Sequence, residues 1–299
     1  MAANDRTIGI IAGSSISSKK INQDAFAIAQ NERLSIGAVV VADGLGSHYG
    51  AEVASSIASK SIARYIEDLD KEEDLNLCAF YVQAWHEIVN YTDQHQASLP
   101  EGLNWNEAFG TTAICAVDTP NVLRLAYIGN GAIFHLRGNF NRFPSSQLLP
   151  WSAMNYLNPH TLPEDGRNAM YKFLSPRSEP ASQMPTVLSL NKDNEFFGDI
   201  ICCVSDGISS YDQTPVGKDA EQRIWIAAEP AVTRLFQTVS DFFDAEHTEE
   251  ALTIKLERYL NDLSKDGHVQ DDCTVAVLIT RRALKYQTST NGSHMPRTL

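Results

Sequence analysis

Four aspartates of the sequence share one setting, because each lies next to an apolar run with the character of a β-strand. They are Asp24, Asp43, Asp206 and Asp271. Asp43 and Asp206 occur in nearly the same phrase, in which a buried strand is followed by Asp-Gly and the glycine lets the backbone turn tightly. A single Asp-Gly pair after a strand is an ordinary turn signal, so the recurrence is the informative feature. Side chains at strand ends can project from a sheet edge into a cleft.

Carboxylates that converge in such a cleft repel one another, and protonation or bound cations must relieve the repulsion. Oxygen ligands without His or Cys favour magnesium or manganese over zinc. Two such ions about 3.5–4 Å apart can activate a shared water for in-line attack on phosphorus and neutralise the phosphoryl oxygens. The pattern therefore predicts hydrolysis of a phosphate ester without a covalent enzyme intermediate.

Composition and charge exclude several other classes of protein. The 299 residues are 43% hydrophobic, which is enough for one large domain, and 37 acidic against 24 basic residues give a net charge of -13. Such a chain repels polyanions, so we expect no nucleic-acid partner. The five cysteines form no CxxC pair and are odd in number, which argues against disulfides and a zinc ribbon and favours a cytoplasmic location. No apolar run reaches about 18 residues and no secretory leader is recognisable, so we expect no membrane association.

The elements that must position the aspartates are indicated by hydrophobic periodicity. Strands are predicted at 8–11, 25–29, 36–42, 112–117, 122–128, 133–137, 186–190, 200–204 and 274–280. Helices are predicted at 51–69, 75–91, 221–243 with a break near Pro230, and 249–263. Gly129-Asn130-Gly131 is a hairpin signal between two of the strands. Runs of strands alternating with helix pairs favour an α+β sandwich with antiparallel sheets over a βαβ repeat.

The domain is expected to span residues 1–280. Within it, residues 140–185 are rich in proline and polar residues and are predicted to form a surface flap. Residues 281–299 are predicted to be a loose tail, in which Gly292-Ser293-His294-Met295 resembles a remnant of an expression vector.

Five sequence blocks in order resemble the signature blocks of the type 2C metal-dependent serine/threonine protein phosphatases, particularly the bacterial ones. They are Asn22-Gln23-Asp24-Ala25-Phe26, the run from Val41 to Gly50, Phe109-Gly110-Thr111-Thr112-Ala113, Val204-Ser205-Asp206-Gly207 and Asp271-Asp272-Cys273-Thr274-Val275. The resemblance covers about residues 8–280. It implies a four-layer α/β/β/α sandwich of two mostly antiparallel sheets flanked by helix pairs. It also implies dependence on two Mn²⁺ or Mg²⁺ ions, phosphorylated proteins as substrates, and a cognate serine/threonine kinase as a partner.

The resemblance also assigns roles to individual residues. Asp43 would bridge the two metals and Gly44 would offer its carbonyl to one of them, while Asp24 belongs to the opening acidic block. Asp206 and Asp271 match the acids that hold the other ion. Asp272 stands where the family usually has Asn and is expected to support the site, and Gln23 stands where the family has Glu.

Three positions leave alternatives open. Lys19 replaces the family's phosphate-gripping Arg, which keeps the charge but loses the two-point contact, and it can equally be a solvated lysine. Asn130 replaces an Asp associated with a third metal; without charge it would hold a dication poorly, and a plain hairpin turn is the other interpretation. His48 could protonate the leaving oxygen or simply pack in its turn.

Two other functions compete with an active phosphatase. The departures at Lys19 and Asn130 are compatible with a pseudophosphatase that recognises a phosphoprotein or a kinase without turnover. The three glycines at 44, 46 and 50, between a strand and a helix, could form a dinucleotide-binding loop. That spacing is one residue too long, and Asp43 would face the pyrophosphate.

Overall fold

The computed structural model describes residues 8–17, 19–138, 152–164, 167–192, 198–209, 216–218, 224–226, 230–242 and 247–288. The strands are β1 (Ile10–Ile16), β2 (Asp24–Asn31), β3 (Ile36–Asp43), β4 (Ala113–Asp118), β5 (Val122–Ile128), β6 (Ala132–Gly138), β7 (Ser152–Asn155), β8 (Thr161–Glu164), β9 (Arg167–Met170), β10 (Thr186–Asn191), β11 (Gly198–Val204), β12 (Val216–Lys218), β13 (Ile224–Ile226) and β14 (Cys273–Ile279). The helices are α1 (Ala51–Glu67), α2 (Leu77–His95), α3 (Pro230–Phe242), α4 (Glu249–Lys265) and α5 (Arg281–Thr288).

Two antiparallel sheets of five strands pack face to face. Their strand orders are β1-β14-β11-β6-β7 and β10-β5-β4-β3-β2. Helices α3 and α4 cover the outer face of the first sheet, and α1 and α2 cover the outer face of the second. The α+β, four-layer sandwich predicted from the sequence is therefore confirmed.

Strand β3 illustrates why these residues form a central strand. Val39 and Val41 belong to the apolar layer between the sheets, whereas Val40 and Ala42 pack beneath α1 and α2. Because successive side chains point to opposite faces of a sheet, a continuous apolar run suits a strand that is covered on both sides. The predicted strands match observed strands to within a few residues at most ends, as do the helices over α1, α2 and α4. The hairpin predicted at Gly129-Asn130-Gly131 is wrong, because β5 and β6 do not pair and this turn instead carries the chain from one sheet to the other.

The helix predicted over residues 221–243 is wrong in its first part. Residues Ile224–Ile226 form β13, which pairs with β12, and the helix begins only at Pro230. The run Ile-Trp-Ile has strand-forming side chains, and proline is favoured at the first helical position because it lacks the N–H group that this position leaves unpaired. The break at Pro230 was expected, but it is the start of the helix.

The flap and the tail contain more regular structure than the sequence indicated. Within 140–185, β7 extends the first sheet by pairing with β6, and β8 and β9 form a hairpin. Residues 281–288 form α5, whose Ala283 and Leu284 are buried, so this part of the tail is not loose. The remaining tail, with the vector-like sequence at 292–295, lies outside the described residues.

The dinucleotide-loop alternative is wrong. Strand β3 does precede α1, but α1 leads into α2 and not into a parallel strand, and β3 pairs antiparallel with both β2 and β4. A dinucleotide fold needs a parallel βαβ crossover at this point.

Candidate active site

The four aspartates predicted from the sequence lie at the same end of the sandwich. Asp24 begins β2 and is the register partner of Asp43, the last residue of β3. In the other sheet, Asp206 follows β11 by two residues and Asp271 precedes β14 by two, and these strands pair antiparallel. Strand ends from both sheets therefore deliver carboxyl groups to one place.

These ends surround an open cleft of about 520 Å³. Its described lining consists of Lys19, Asp43, Gly44, Leu45, Gly46, Ser47, His48, Glu107, Thr112, Asn130, Met170, Phe173, Asp206 and Asp271. Asp24 is not part of that lining. It lies behind Asp43, with 8% of its surface exposed.

The backbone around Asp43 is fixed by the neighbouring strand. The Asp43 amide donates to Thr112 Oγ1 at 3.0 Å, and the Asp43 carbonyl accepts from the Thr112 amide at 2.8 Å and from Thr111 Oγ1 at 2.9 Å. The next residue must be glycine, because a Cβ on Gly44 would lie 2.6 Å from the Ala51 carbonyl oxygen. The chain thus turns sharply into α1 while the Asp43 side chain stays at the cleft.

The carboxyl groups perturb one another. Desolvation, followed by the charges of Asp24 and Asp206, raises the pKa of Asp43 well above its usual range. Burial raises the pKa of Asp24 to about 6, although the nearby polar groups of Ser205, Asp43 and Thr274 act in the opposite direction. Desolvation and the charge of Asp271 also raise the pKa of Asp206. Burial is the largest cause of each shift, and the charges of the neighbouring aspartates add to it, so the described part of the cleft concentrates negative charge.

Asp206 and Asp271 each have a partner of a different kind. Asn130, at the β5–β6 turn, donates from Nδ2 to Asp206 Oδ2 at 2.8 Å. Asp271 Oδ1 accepts from Lys19 Nζ and from the Asp272 amide. The charge of Asp271 is therefore compensated by a lysine, whereas the partner of Asp206 is a neutral amide.

Lys19 is exposed at the rim of the cleft and is ion-paired with Asp271. Its Nζ also lies 3.7 Å from Asp272 Oδ2. Burial alone would lower the pKa of Lys19, but the hydrogen bond to Asp271 and the charges of Asp271 and Asp272 raise it. Asp272 is buried and is held by Ser17 Oγ and by the Gln23 amide at 2.8 Å, which agrees with its expected supporting position.

His48 lines the cleft at a close backbone contact. Its ring meets Phe173 edge-on at 5.4 Å between centroids, and a Cβ on Gly110 would lie 2.2 Å from His48 Nδ1. Burial lowers the pKa of His48, with the charge of Glu107 opposing it. A lowered pKa favours the neutral ring, so the protonated form that a proton donor needs is less populated than the ordinary pKa suggested.

The donor set suits a hard divalent cation. Both carboxyl oxygens of Asp24 and the Asn130 Oδ1 atom are buried and have no hydrogen-bond partner among the described residues. All the candidate ligands are oxygens, which Mg²⁺ and Mn²⁺ prefer. In the described ranges, however, no three His, Cys, Asp or Glu side chains are drawn together closely enough to form a ready-made metal centre.

Several cleft residues were not predicted. Glu107, Met170 and Phe173 reach the cleft from loops and from the flap, and no motif marked them. Thr112 belonged to a recognised block, but its hydrogen bonds to the Asp43 backbone depend on the β3–β4 register.

The comparisons with known proteins agree with the fold. A family model described as "Protein phosphatase 2C" matches residues 12–149. No curated protein matches the chain.

Among solved structures, the serine/threonine phosphatase Stp1 from Staphylococcus aureus is 17% identical, with a TM-score of 0.57, covering 90% of this chain and 94% of its own. The catalytic domain of the serine threonine protein phosphatase PstP, solved with two manganese ions, is also 17% identical, with a TM-score of 0.58 and coverage of 91% and 99%. The serine/threonine phosphatase of S. agalactiae is 14% identical, with a TM-score of 0.58 and coverage of 90% and 98%.

The fold is therefore that of the bacterial serine/threonine phosphatases. The family-model match over residues 12–149 and this shared fold agree with the resemblance of the sequence blocks to the type 2C protein phosphatases.

Proposed function

We propose that the chain hydrolyses phosphoserine and phosphothreonine residues of proteins, with divalent cations held by its strand-end aspartates. The family model and the fold support protein phosphatase function in general. The finer proposal rests on one observation. Asp43 and Asp206 come from opposite sheets to one cleft, in front of a buried carboxyl, Asp24, that has no hydrogen-bond partner among the described residues.

Asp24, Asp43 and Asp206 would hold two Mn²⁺ or Mg²⁺ ions together with the Gly44 carbonyl and Asp271. Bound cations of this kind lower the pKa of a water molecule and neutralise phosphoryl oxygens. Asn130 carries no charge and donates to Asp206, so we include no third ion in the proposal.

The chain's own residues would do the remaining work. Asp43 and Asp206 act as the catalytic carboxylates, and Lys19 contacts the substrate phosphate. The Lys19 ammonium has three N–H groups, so its bond to Asp271 leaves donors for a phosphate oxygen. His48 stands at the cleft as the candidate proton donor, although its lowered pKa disfavours the protonated form.

A protein substrate suits the shape of the surroundings. Asp206 and Asp271 also line a second open cleft of about 510 Å³, together with Pro230, Ala231, His268 and Gln270. An extended polypeptide could lie across both clefts with its phosphorylated residue at the shared carboxylates. Met170 and Phe173, from the predicted flap, would contact the residues on one side.

No helix in the described ranges is long and apolar enough to cross a membrane. The cytoplasmic location and the cognate kinase stay predictions, as does the role of the flap in choosing substrates.

The test is turnover. The purified chain with Mn²⁺ is expected to release phosphate from a phosphothreonine peptide and from p-nitrophenyl phosphate, and a chelator should stop both reactions. Asp206→Asn should lower kcat by at least about 10–100-fold, the usual cost of losing a group that supports a metal site. Asp93→Asn, on the exposed side of α2, is the matched control and should leave kcat unchanged.

Absence of turnover in the wild-type chain with either substrate and either metal would overturn the proposal. If that chain still bound the phosphopeptide, the pseudophosphatase alternative would replace it.

A further inference from the structure

His160 is a buried histidine close to the cleft but not among the described residues that line it. It directly precedes β8, and 6% of its surface is exposed. Its ring stacks on Tyr127 at 5.2 Å between centroids and meets Tyr171 edge-on at 5.7 Å. The ring is therefore held in one orientation by two aromatic neighbours.

The hydrogen bonds of His160 define which ring nitrogen carries the proton. The Gly129 amide donates to His160 Nδ1 at 3.1 Å, so Nδ1 is an acceptor without a hydrogen. Nε2 then carries the hydrogen and donates to Thr186 Oγ1 at 3.0 Å. Burial, aided by the charge of Lys172, lowers the pKa of His160 to about 4, which keeps this neutral form at physiological pH.

A second hydrogen bond joins the same two residues through the backbone. The His160 amide donates to the Gly129 carbonyl at 2.9 Å. Both backbone groups of Gly129 are thus bound by one residue of the predicted flap. Gly129 has φ of +99°, a conformation that glycine adopts without steric cost, so the turn depends on external contacts for its rigidity.

The next residue along this turn is Asn130, which donates to Asp206. A continuous row of contacts therefore leads from His160 through Gly129 and Asn130 to a candidate catalytic carboxylate. A displacement of the turn by about 1 Å would break the bond to Asp206, since hydrogen bonds beyond about 3.5 Å contribute little.

We propose that His160 is a positioning residue for Asp206, acting through the Gly129-Asn130 turn. This inference rests on the proposed function in so far as Asp206 is catalytic. It adds that His160, a residue of the predicted flap, fixes the position of the Asp206 side chain without contacting the substrate.

Two substitutions distinguish the role of His160 Nδ1 from that of His160 Nε2. In His160→Asn, the amide oxygen can reach the position of Nδ1 and keep the bond from Gly129. In His160→Gln, the amide nitrogen reaches the position of Nε2, so the bond to Thr186 is kept and the acceptor for Gly129 is lost. His86→Gln, on the exposed face of α2, is the matched control.

The first measurement does not require activity. The side-chain amide signals of Asn130 in a ¹⁵N–¹H spectrum are assigned by their loss in Asn130→Ala. We expect His160→Gln to shift these signals, and His160→Asn and His86→Gln to leave them in place. Unmoved Asn130 signals in His160→Gln would overturn the proposal whether or not the protein turns over phosphate.

The second measurement is a double-mutant cycle on kcat. His160→Gln should lower kcat by about 10-fold with both p-nitrophenyl phosphate and a phosphothreonine peptide, with KM changed by less than about 2-fold, as for loss of a supporting hydrogen bond. In the Asn130→Ala background, the same substitution should have less than about 2-fold further effect, because its route to Asp206 is already cut.

If the kcat losses of His160→Gln and Asn130→Ala simply added in the double mutant, His160 would not act through Asn130. A change in His160→Gln that is confined to KM for the peptide would contradict the proposal as well. If the wild-type chain is inactive, the proposed function fails while the spectral test of the positioning role still stands.

Discussion

The central feature at the scale of single residues is the unbalanced charge of the cleft. Asp24 is a buried carboxyl without a hydrogen-bond partner among the described residues, and its pKa is raised to about 6. A buried ionised group of this kind destabilises the folded state unless a cation compensates it. The site therefore favours cation binding at the expense of stability in the metal-free protein.

Asp24→Asn should consequently stabilise the metal-free protein at pH 7.5. Because the folded-state pKa lies above the ordinary value of 3.8, the folded protein binds more protons between pH 4 and 6, and stability falls as pH rises through this window. The variant lacks this component. Thermal unfolding in chelator should show a higher Tm for Asp24→Asn than for the wild type at pH 7.5, with a smaller difference at pH 4.

Added Mn²⁺ should raise the Tm of the wild type more than that of Asp24→Asn. A lower Tm for Asp24→Asn than for the wild type in chelator at pH 7.5 would contradict this explanation.

Lys19 gives a second prediction at this scale. Lys19→Ala should raise KM for a phosphothreonine peptide by about 10-fold, the equivalent of one charge-assisted hydrogen bond. Lys19→Arg should lower KM, because a guanidinium offers two parallel donors to phosphate. Steady-state kinetics can compare both with Lys20→Ala, whose side chain is an exposed neighbour. Equal KM values for Lys19→Ala and Lys20→Ala would remove Lys19 from the phosphate site.

At the scale of elements, the positions of the cleft residues depend on the turns that follow the strands. The β5–β6 turn carries Asn130 between two glycines with positive φ, and a Cβ on Gly131 would lie 2.5 Å from the Val204 carbonyl oxygen. This contact brings the turn against the end of β11, two residues before Asp206. Only glycine satisfies both the backbone conformation and the close approach.

Gly131→Ala should therefore cost more stability than an alanine at a glycine with positive φ and open surroundings. Gly102 is such a position, with φ of +77° and no atom within 4 Å of the place that an added Cβ would take, and Gly102→Ala should cost about 1–2 kcal/mol. Gly131→Ala should cost at least about 1 kcal/mol more, from overpacking. Denaturant unfolding of both variants measures the difference, and equal losses would show that the turn can move away from β11.

Most elements could be predicted because their signals are local. The continuous apolar run in β3 reflects burial on both faces of the strand, and the helical spacing of apolar residues in α1 and α2 reflects burial on one face of each helix. The segment around Ile224–Ile226 was mistaken because three residues are too few to distinguish strand from helix by periodicity. Helix α5 was missed because its buried contacts, through Ala283 and Leu284, are few within a polar sequence.

The acidic residues of the candidate site could be predicted from the sequence, but their contacts with distant residues could not. The four aspartates were found from their strand-end setting and from the family resemblance, and the structure places three of them on the cleft and Asp24 behind it. The bond from Asn130 to Asp206 and the contacts of His160 could not be foreseen. Both depend on residues that are far apart in the chain and meet only when the two sheets and the flap are assembled.

At the scale of the whole molecule, buried ion pairs link strands of the same sheet at the end of the sandwich opposite the cleft. Lys192, which follows β10, pairs with Asp118 at the end of β4 and donates to the Thr119 carbonyl at 2.6 Å. Asp199, at the start of β11, accepts from His135 Nε2 at 2.8 Å and from Arg137 Nε at 2.6 Å. Burial raises the pKa of Asp118 to about 6 even with Lys192 beside it, so this carboxyl depends strongly on its partner.

Lys192→Met should destabilise the protein by about 3 kcal/mol, because it leaves Asp118 buried without its cation. The double substitution Asp118→Leu with Lys192→Met should recover much of this loss, since it removes the remaining charge as well. Denaturant unfolding measures both, and Mn²⁺ affinity should not change because the pair lies at the far end from the cleft. Losses that simply add would show that the two groups do not depend on each other.

The most direct test of the whole account is where cations bind. Crystals grown with Mn²⁺ and measured at the manganese absorption edge should show anomalous density between Asp43 and Asp206, with Asp24 and Asp271 directed toward it. Anomalous density elsewhere, or none in that cleft while Asp43 and Asp206 point apart, would contradict the proposal that these aspartates form a metal-dependent phosphatase site.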